Sequence, residues 1–335
     1  MLLSNILSFV VFPVILLFNV KIEKRYDVIS IEDSDFIRGV AAIFIFFAHF
    51  YTQLYEITNI AIGKLWLYMG GVGVCVFFFL SGYGLNKSDS IEKPGFIIKR
   101  LKNVVFPFVF VRSICFFFNY SLSTKGILFF LEYILGIVDP LWFVSMILII
   151  YFGYYICYKI FGKKNLNAAL LIYNIVIGIL FAIHGAEPRW YNSHLLFSFG
   201  MIIADNNKKV IDGLQRINWW LQNLILGILF LSNSILFSVN KNHYCSVLFK
   251  VCSGIFLSLL IMNLLLQIRF QSVLIRWIGK NSLLFYIIHL QVLNVYNITE
   301  MNKGYYILTG MFITIISILT YNTVKKRLFT VPEKG

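Results

Sequence analysis

The sequence predicts an all-α protein, a polytopic membrane helix bundle that crosses the bilayer about eleven times. Three observations predict it. The 335 residues are 59% hydrophobic and 13% charged, where a soluble domain is about a quarter charged. Apolar stretches of about 20 residues, enough to span a bilayer core of about 30 Å, recur from end to end. Between them, the cations concentrate in alternate loops.

The expected spans run in order. Leu2–Val20 has its cations after the apolar run and no basic segment before it. It therefore reads as a retained span with its N-terminus outside, in preference to a cleaved signal peptide. Phe36–Tyr55 follows, with Arg38 near its start and His49 further along. Trp66–Asn86 is rich in glycine, and Val104–Tyr120 contains Arg112. The segment Ser121–Asp139 is apolar over Gly126–Val138 but too short for a further crossing. It is expected to be re-entrant or interfacial, and it carries Glu132 and Asp139. Pro140–Ile160, Leu166–His184, Trp190–Asp205, Trp219–Val239, Cys245–Ile268, Gly279–Asn297 and Tyr305–Tyr321 complete the set. The longest polar stretches, Lys21–Asp35 and Lys87–Asn103, are too short to bury a core of their own. The expected organisation is an extra N-terminal span with its linker over residues 1–30, a membrane domain over 31–324 and a tail over 325–335.

A net charge of +14 raises the question of nucleic acid, and its distribution answers against it. One set of loops holds Lys21, Lys24 and Arg25, then Lys87 to Lys102, Lys159 to Lys164, Lys208 to Arg216, Arg269 to Lys280 and Lys325 to Lys334. The opposite set holds only Lys64, Lys125, Arg189, Lys241 and Lys303. The rich set is cytoplasmic by the positive-inside rule, so a multi-pass plasma-membrane protein is expected with its N-terminus outside and its C-terminus in the cytoplasm. The excess charge is topological and suits a lipid surface. The cysteines, Cys75, Cys115, Cys157, Cys245 and Cys252, contain no CxxC and fall mostly within spans. They read as small buried apolar residues.

Candidate chemistry begins with Arg38 and His49. An α-helix turns about 100° per residue, so eleven steps bring the two to within about 20° of one face, roughly 16 Å apart along the axis. A membrane-buried ionisable residue is costly and marks function by default. Arg112 and His289 are expected at a depth similar to that of His49. Each residue also has a plainer reading: Arg38 snorkelling at a helix end, the histidines bonded between helices. His184, His194 and His243 flank outer loops, and no HxxxH or HExxH spacing points to a metal. The stretch from Gly70 to Gly84 either lets helices approach closely or lines a passage for a slender ligand. Lys99, Arg100 and Lys102 either set topology or bind the phosphates of a cytosolic cofactor.

Together these stretches resemble the acyltransferase-3 family of membrane O-acyltransferases. Arg38-x10-His49 matches its Arg-x10-His signature. Gly70-Gly-Val-Gly-Val with Phe77-Phe-Phe-Leu-Ser-Gly-Tyr83 looks like its second motif. Phe96-Ile-Ile-Lys-Arg-Leu-Lys102 resembles its basic loop, with Asn103 where many members have a second arginine. Leu141-Trp-Phe143 resembles its Trp-Phe motif, and Ile278-Gly-Lys-Asn-Ser to His289 its closing motif. The resemblance implies a ten-span core and transfer of acetyl from acetyl-CoA to a hydroxyl of a surface, capsular or secreted polysaccharide. The acceptor would be a glycan or lipid-linked glycan. Arg38, Lys99, Arg100 and Lys102 would hold the CoA phosphates, and Gly71, Gly73, Ser81 and Gly82 would line the pantetheine arm. His49 would be general base, since burial favours the neutral ring, or would carry the acyl group itself. Arg112 would stabilise the oxyanion. Trp142, Glu132, Asp139 and His289 would face the acceptor. The rival class is a transporter or flippase for an anionic or glycan substrate, which intramembrane Arg and His fit equally well. No inverted repeat supports it, and a glycan polymerase would be expected to carry a large outer loop.

Overall fold

A computed structural model describes residues 5–25, 29–58, 62–88, 91–93, 95–137, 141–240, 243–295 and 305–329. The expected site residue Asp139 and the loop cations Lys241, Lys303 and Lys334 lie outside the described residues. The helices are α1 (Leu7–Leu17, opening with a π-helical turn), α2 (Ile31–Thr58), α3 (Ile62–Lys87), α4 (Phe96–Asn119), α5 (Leu122–Ile134) and α6 (Trp142–Ile183). After a 3-10 turn at Pro188–Trp190 come α7 (Leu195–Asp205), α8 (Asn207–Leu214), α9 (Trp219–Val239) and α10 (His243–Leu265). The last are α11 (Val273–Lys280), α12 (Ser282–Val295) and α13 (Tyr306–Phe329). Two dipeptide strands, β1 (Lys21–Ile22) and β2 (Ile268–Arg269), pair antiparallel with Lys21 opposite Arg269.

Among the described residues, seven helices are long and apolar enough to cross a bilayer, or eight if α11 and α12, bent by 82°, form one span. Each of the eleven expected stretches contains helix within its described residues, but they are not equivalent. The 42-residue α6 breaks at Gly162 (φ 68°, ψ 176°) into the two expected spans. That combination of dihedrals is open essentially to glycine alone. By contrast, α7 has 11 residues, roughly 16 Å of helix against a core of about 30 Å. Its apolar run reflects burial in protein on nearly every side, from Leu196 and Phe197 to Ile203 and Ala204. A helix that is apolar all round fits a protein interior as well as a membrane. The segment after α4 forms α5, kinked at Gly126, which folds back on α4.

The centre of the bundle is the pair α2 and α3. In their apolar stretches 72% and 67% of residues are buried, against 17% in α6 and α9. The outer helices therefore present apolar side chains outward, as lipid-facing helices do. A capping box starts α2: the Ser30 backbone N–H donates to Asp33 (2.9 Å), and the Asp33 N–H donates to the Ser30 hydroxyl (3.2 Å). Arg25 clamps the same carboxylate with two bonds of 3.0 and 2.7 Å. One turn on, α11 crosses α2 at very close range. Gly39 meets the Ile275 carbonyl, and Gly279 meets the Asp35 carbonyl, with no room for a Cβ at either. The closing motif then bends at Asn281, whose side chain donates to the Trp277 carbonyl (2.9 Å) and accepts from Asn322 on α13 (2.9 Å). This bend sets the start of α12 and so the height of His289.

Candidate functional site

Two polar clusters lie along α2, which is unbroken between Arg38 and His49, so the helical spacing of roughly 16 Å holds.

The first is a histidine pair. His49 Nδ1 lies 2.8 Å from His289 Nε2, with the rings stacked at 5.1 Å and 22°. His289 Nδ1 lies 2.7 Å from the carbonyl of Phe285, one turn back on α12. These distances assign the protons. A carbonyl only accepts, so His289 Nδ1 carries a proton and, in the neutral ring, its Nε2 is an acceptor. His49 Nδ1 must then donate, which leaves His49 Nε2 with a bare lone pair. His289 is fully buried, enclosed by Phe46, Phe285 and Tyr286, while His49 keeps part of its surface open. His289 therefore stands behind His49 and orients it. The expectation that it faces the acceptor is corrected: α12 turns it into the core, with no surface left for a substrate.

The second cluster surrounds Arg38. Its Nη2 donates to the Leu80 carbonyl on α3 (3.4 Å) and passes position 84, where a Cβ would stand 3.6 Å away. Tyr151 of α6, Arg100 of α4 and Asp35 lie within electrostatic reach of it. Tyr151 in turn hydrogen-bonds with Ser81 and lies within electrostatic reach of both guanidiniums. Four helices thus bring Arg38, Ser81, Arg100 and Tyr151 together. Arg100 is half-buried over the Phe96 ring at 5.6 Å, whereas Lys99 and Lys102 are exposed on α4. Two guanidiniums around hydroxyls form a cradle for an oxyanion such as phosphate.

Other expected residues are placed differently. Arg112 is wholly buried, but its described contacts run to α4 and α5. Nε donates to the Tyr133 carbonyl (2.5 Å), and the guanidinium packs on Tyr133 (4.0 Å) and Phe108 (5.5 Å). Among the described contacts, the two expected side chains that meet directly are His49 and His289. Depth along a helix is readable from sequence, but the face presented to a neighbour is not. Arg112 reaches α12 indirectly, because the Tyr133 hydroxyl donates to Gln291 (3.1 Å). Gly73 is filled by the Ala41 carbonyl of α2, and Gly82 by the Phe197 carbonyl of α7, so both serve close packing and leave no passage. Gly71 faces the Lys250 ammonium. Trp142 is half-buried at the start of α6 and Glu132 is exposed on α5. His194 is buried, its Nε2 at 2.7 Å from the Asn174 carbonyl, as a structural histidine is.

Sequence reasoning missed Tyr151, Tyr286 and Lys250. The tyrosines sit in apolar spans among many aromatics and carry no local signal. Lys250 did carry one: it is a charge inside the apolar run Cys245–Ile268.

The family model for an acyltransferase domain, acyltransferase 3, matches residues 31–322. No curated protein and no solved structure matches the chain.

Proposed function

Because the chain belongs to the acyltransferase-3 family and is a membrane acyltransferase, we propose that it moves acetyl from acetyl-CoA to a hydroxyl of a surface, capsular or secreted glycan. The observation that carries this reading is the hydrogen-bond chain Phe285–His289–His49, which leaves His49 Nε2 bare and partly open. On this account Nε2 takes the proton of the acceptor hydroxyl as its oxygen attacks the thioester carbon. The tetrahedral intermediate collapses with cleavage of the carbon–sulfur bond, and the imidazolium returns its proton to the departing CoA sulfur. His289 accepts from the Nδ1–H throughout and steadies the positive charge that develops on His49. Acyl transfer by way of Nε2 itself uses the same lone pair.

The Arg38 cluster supports the donor end. Arg38 and Arg100 would hold the CoA phosphates, with Ser81 and Tyr151 as further hydrogen-bonding groups. The roughly 16 Å to His49 suits a thioester presented on a long flexible arm. Charge in the loops supports placing this end in the cytoplasm of a plasma-membrane protein, with the N-terminus outside. The test is the acetyl content of the surface polysaccharide in cells making wild type or His49→Ala at equal membrane levels. Acetylation is expected with wild type alone. Equal acetylation with both would remove the role of His49, and glycan export that depends on the protein without any acetylation would favour the transporter reading.

A further inference from the structure

Lys250 lies in the interior of a membrane bundle, 4% exposed on α10. Among the described residues it has no carboxylate and no hydrogen-bond partner. Its ammonium rests between two rings, 5.2 Å from Tyr68 of α3 and 5.0 Å from Phe237 of α9. It abuts Gly71, where a Cβ would stand 2.8 Å from Nζ. Tyr68 and Gly71 are three residues apart, on one face of α3. The Tyr68 hydroxyl is buried and also lacks a partner among the described residues. Two hydrogen-bond donors, one of them cationic, therefore meet between α3, α9 and α10 with no acceptor to receive them. Aromatic faces offset part of the cost of a buried cation, but an anion offsets far more. The position is level with His49, since the adjoining Gly70 packs on Ala48. It is well away from the Arg38 cluster, roughly 16 Å down the helix.

We propose that Lys250 and Tyr68 form a binding position for an anionic group of the acceptor, a carboxylate or phosphate carried by the glycan. That the anion belongs to the acceptor rests on the acyl-transfer reading; that an anion binds there does not. Gly71 leaves the space into which the ammonium reaches. Phe237 and Tyr68 hold the ammonium at a fixed height, level with His49. Such a contact would select acidic acceptors over neutral ones, because a neutral sugar leaves both donors unpaired.

The experiment uses the full-length protein in detergent and follows its thermal unfolding with sodium glucuronate, inorganic phosphate or glucose at matched ionic strength. Wild type and His49→Ala are expected to show a saturable upward shift with one or both anions and none with glucose. The anion giving the tighter shift identifies the source. Lys250→Met is expected to weaken that affinity about tenfold or more, Tyr68→Phe to weaken it less, and Lys250→Arg to retain it. No saturable anion shift in wild type, or the same shift in Lys250→Met, overturns the site. If Lys250→Met does not fold, an unchanged affinity in Tyr68→Phe overturns it. Anion binding that persists while the KM for an acidic acceptor is unmoved in Lys250→Arg and raised in neither Lys250→Met nor Tyr68→Phe leaves the site and removes its assignment to the acceptor. Absence of acyl transfer by the folded wild-type protein removes the acyl-transfer reading and leaves the binding result standing.

Discussion

Replacing His289 with phenylalanine keeps a ring in the pocket formed by Phe46, Phe285 and Tyr286 but removes the acceptor 2.8 Å from His49 Nδ1. In the ground state that bond joins neutral groups and contributes about 1 kcal/mol. Once Nε2 has taken a proton the ring is cationic and the bond becomes charge-assisted, at about 1.5–3 kcal/mol. The difference, about 0.5–2 kcal/mol, is stabilisation present in the transition state alone, and each 1.4 kcal/mol is about tenfold in rate. Loss of the enforced tautomer adds to it, because a His49 ring protonated on Nε2 has no lone pair where the hydroxyl proton must go. A fall in kcat of about tenfold to hundredfold is expected, with the KM for acetyl-CoA unchanged. The assay is transfer of labelled acetyl from acetyl-CoA into glycan by membranes containing equal amounts of each protein. His289→Gln, which can offer a carbonyl oxygen to Nδ1–H, is expected to recover part of the loss. A folded His289→Phe protein with wild-type kcat would refute the proton assignment and the orienting role.

Three further outcomes follow from the same geometry. Arg38→Ala and Arg100→Ala are each expected to weaken acetyl-CoA binding about tenfold or more, while Lys99→Ala and Lys102→Ala, which remove exposed charges, change it less than about threefold; equal effects from all four, measured by equilibrium binding, would dissolve the Arg38 cluster as a phosphate site. Gly82→Ala drives a methyl into the Phe197 carbonyl and is expected to cost about 1–3 kcal/mol of stability, read as a lower melting temperature in detergent; an unchanged melting temperature would mean that α3 and α7 are not in close contact. Tyr151→Phe removes the hydroxyl that bonds with Ser81 within electrostatic reach of Arg38 and Arg100 and is expected to raise the KM for acetyl-CoA severalfold without altering kcat, and a kcat effect alone would move Tyr151 to the chemical step.

The helices and their order were legible because a bilayer imposes a length and a charge asymmetry that sequence records directly. The Arg38–His49 relation was legible for a related reason: both residues lie on one continuous helix, so a fixed turn per residue predicts their face and spacing. Contacts between helices were less so. His289 was readable as deep, but its bond to His49 depends on the 82° bend at Asn281, which aims α12 at α2. Arg112 was deep as well, yet its guanidinium packs on Tyr133 of α5, because the rotation of α4 about its axis is set by packing between the helices. The glycines at 73 and 82 admitted two readings from sequence, passage or packing, and neighbouring carbonyls decide for packing. In α7 an apolar run reflects burial by protein instead of lipid, a difference that composition does not encode.

In the proposed mechanism His49 Nε2 is the atom at which acyl transfer is driven. The most direct measurement of that role is transfer of labelled acetyl from acetyl-CoA to glycan by purified wild-type and His49→Ala protein reconstituted into lipid vesicles with acceptor. Wild type is expected to transfer acetyl and His49→Ala to lose about a hundredfold or more of that rate, with acetyl-CoA binding retained. Transfer by the folded alanine variant at the wild-type rate would contradict it.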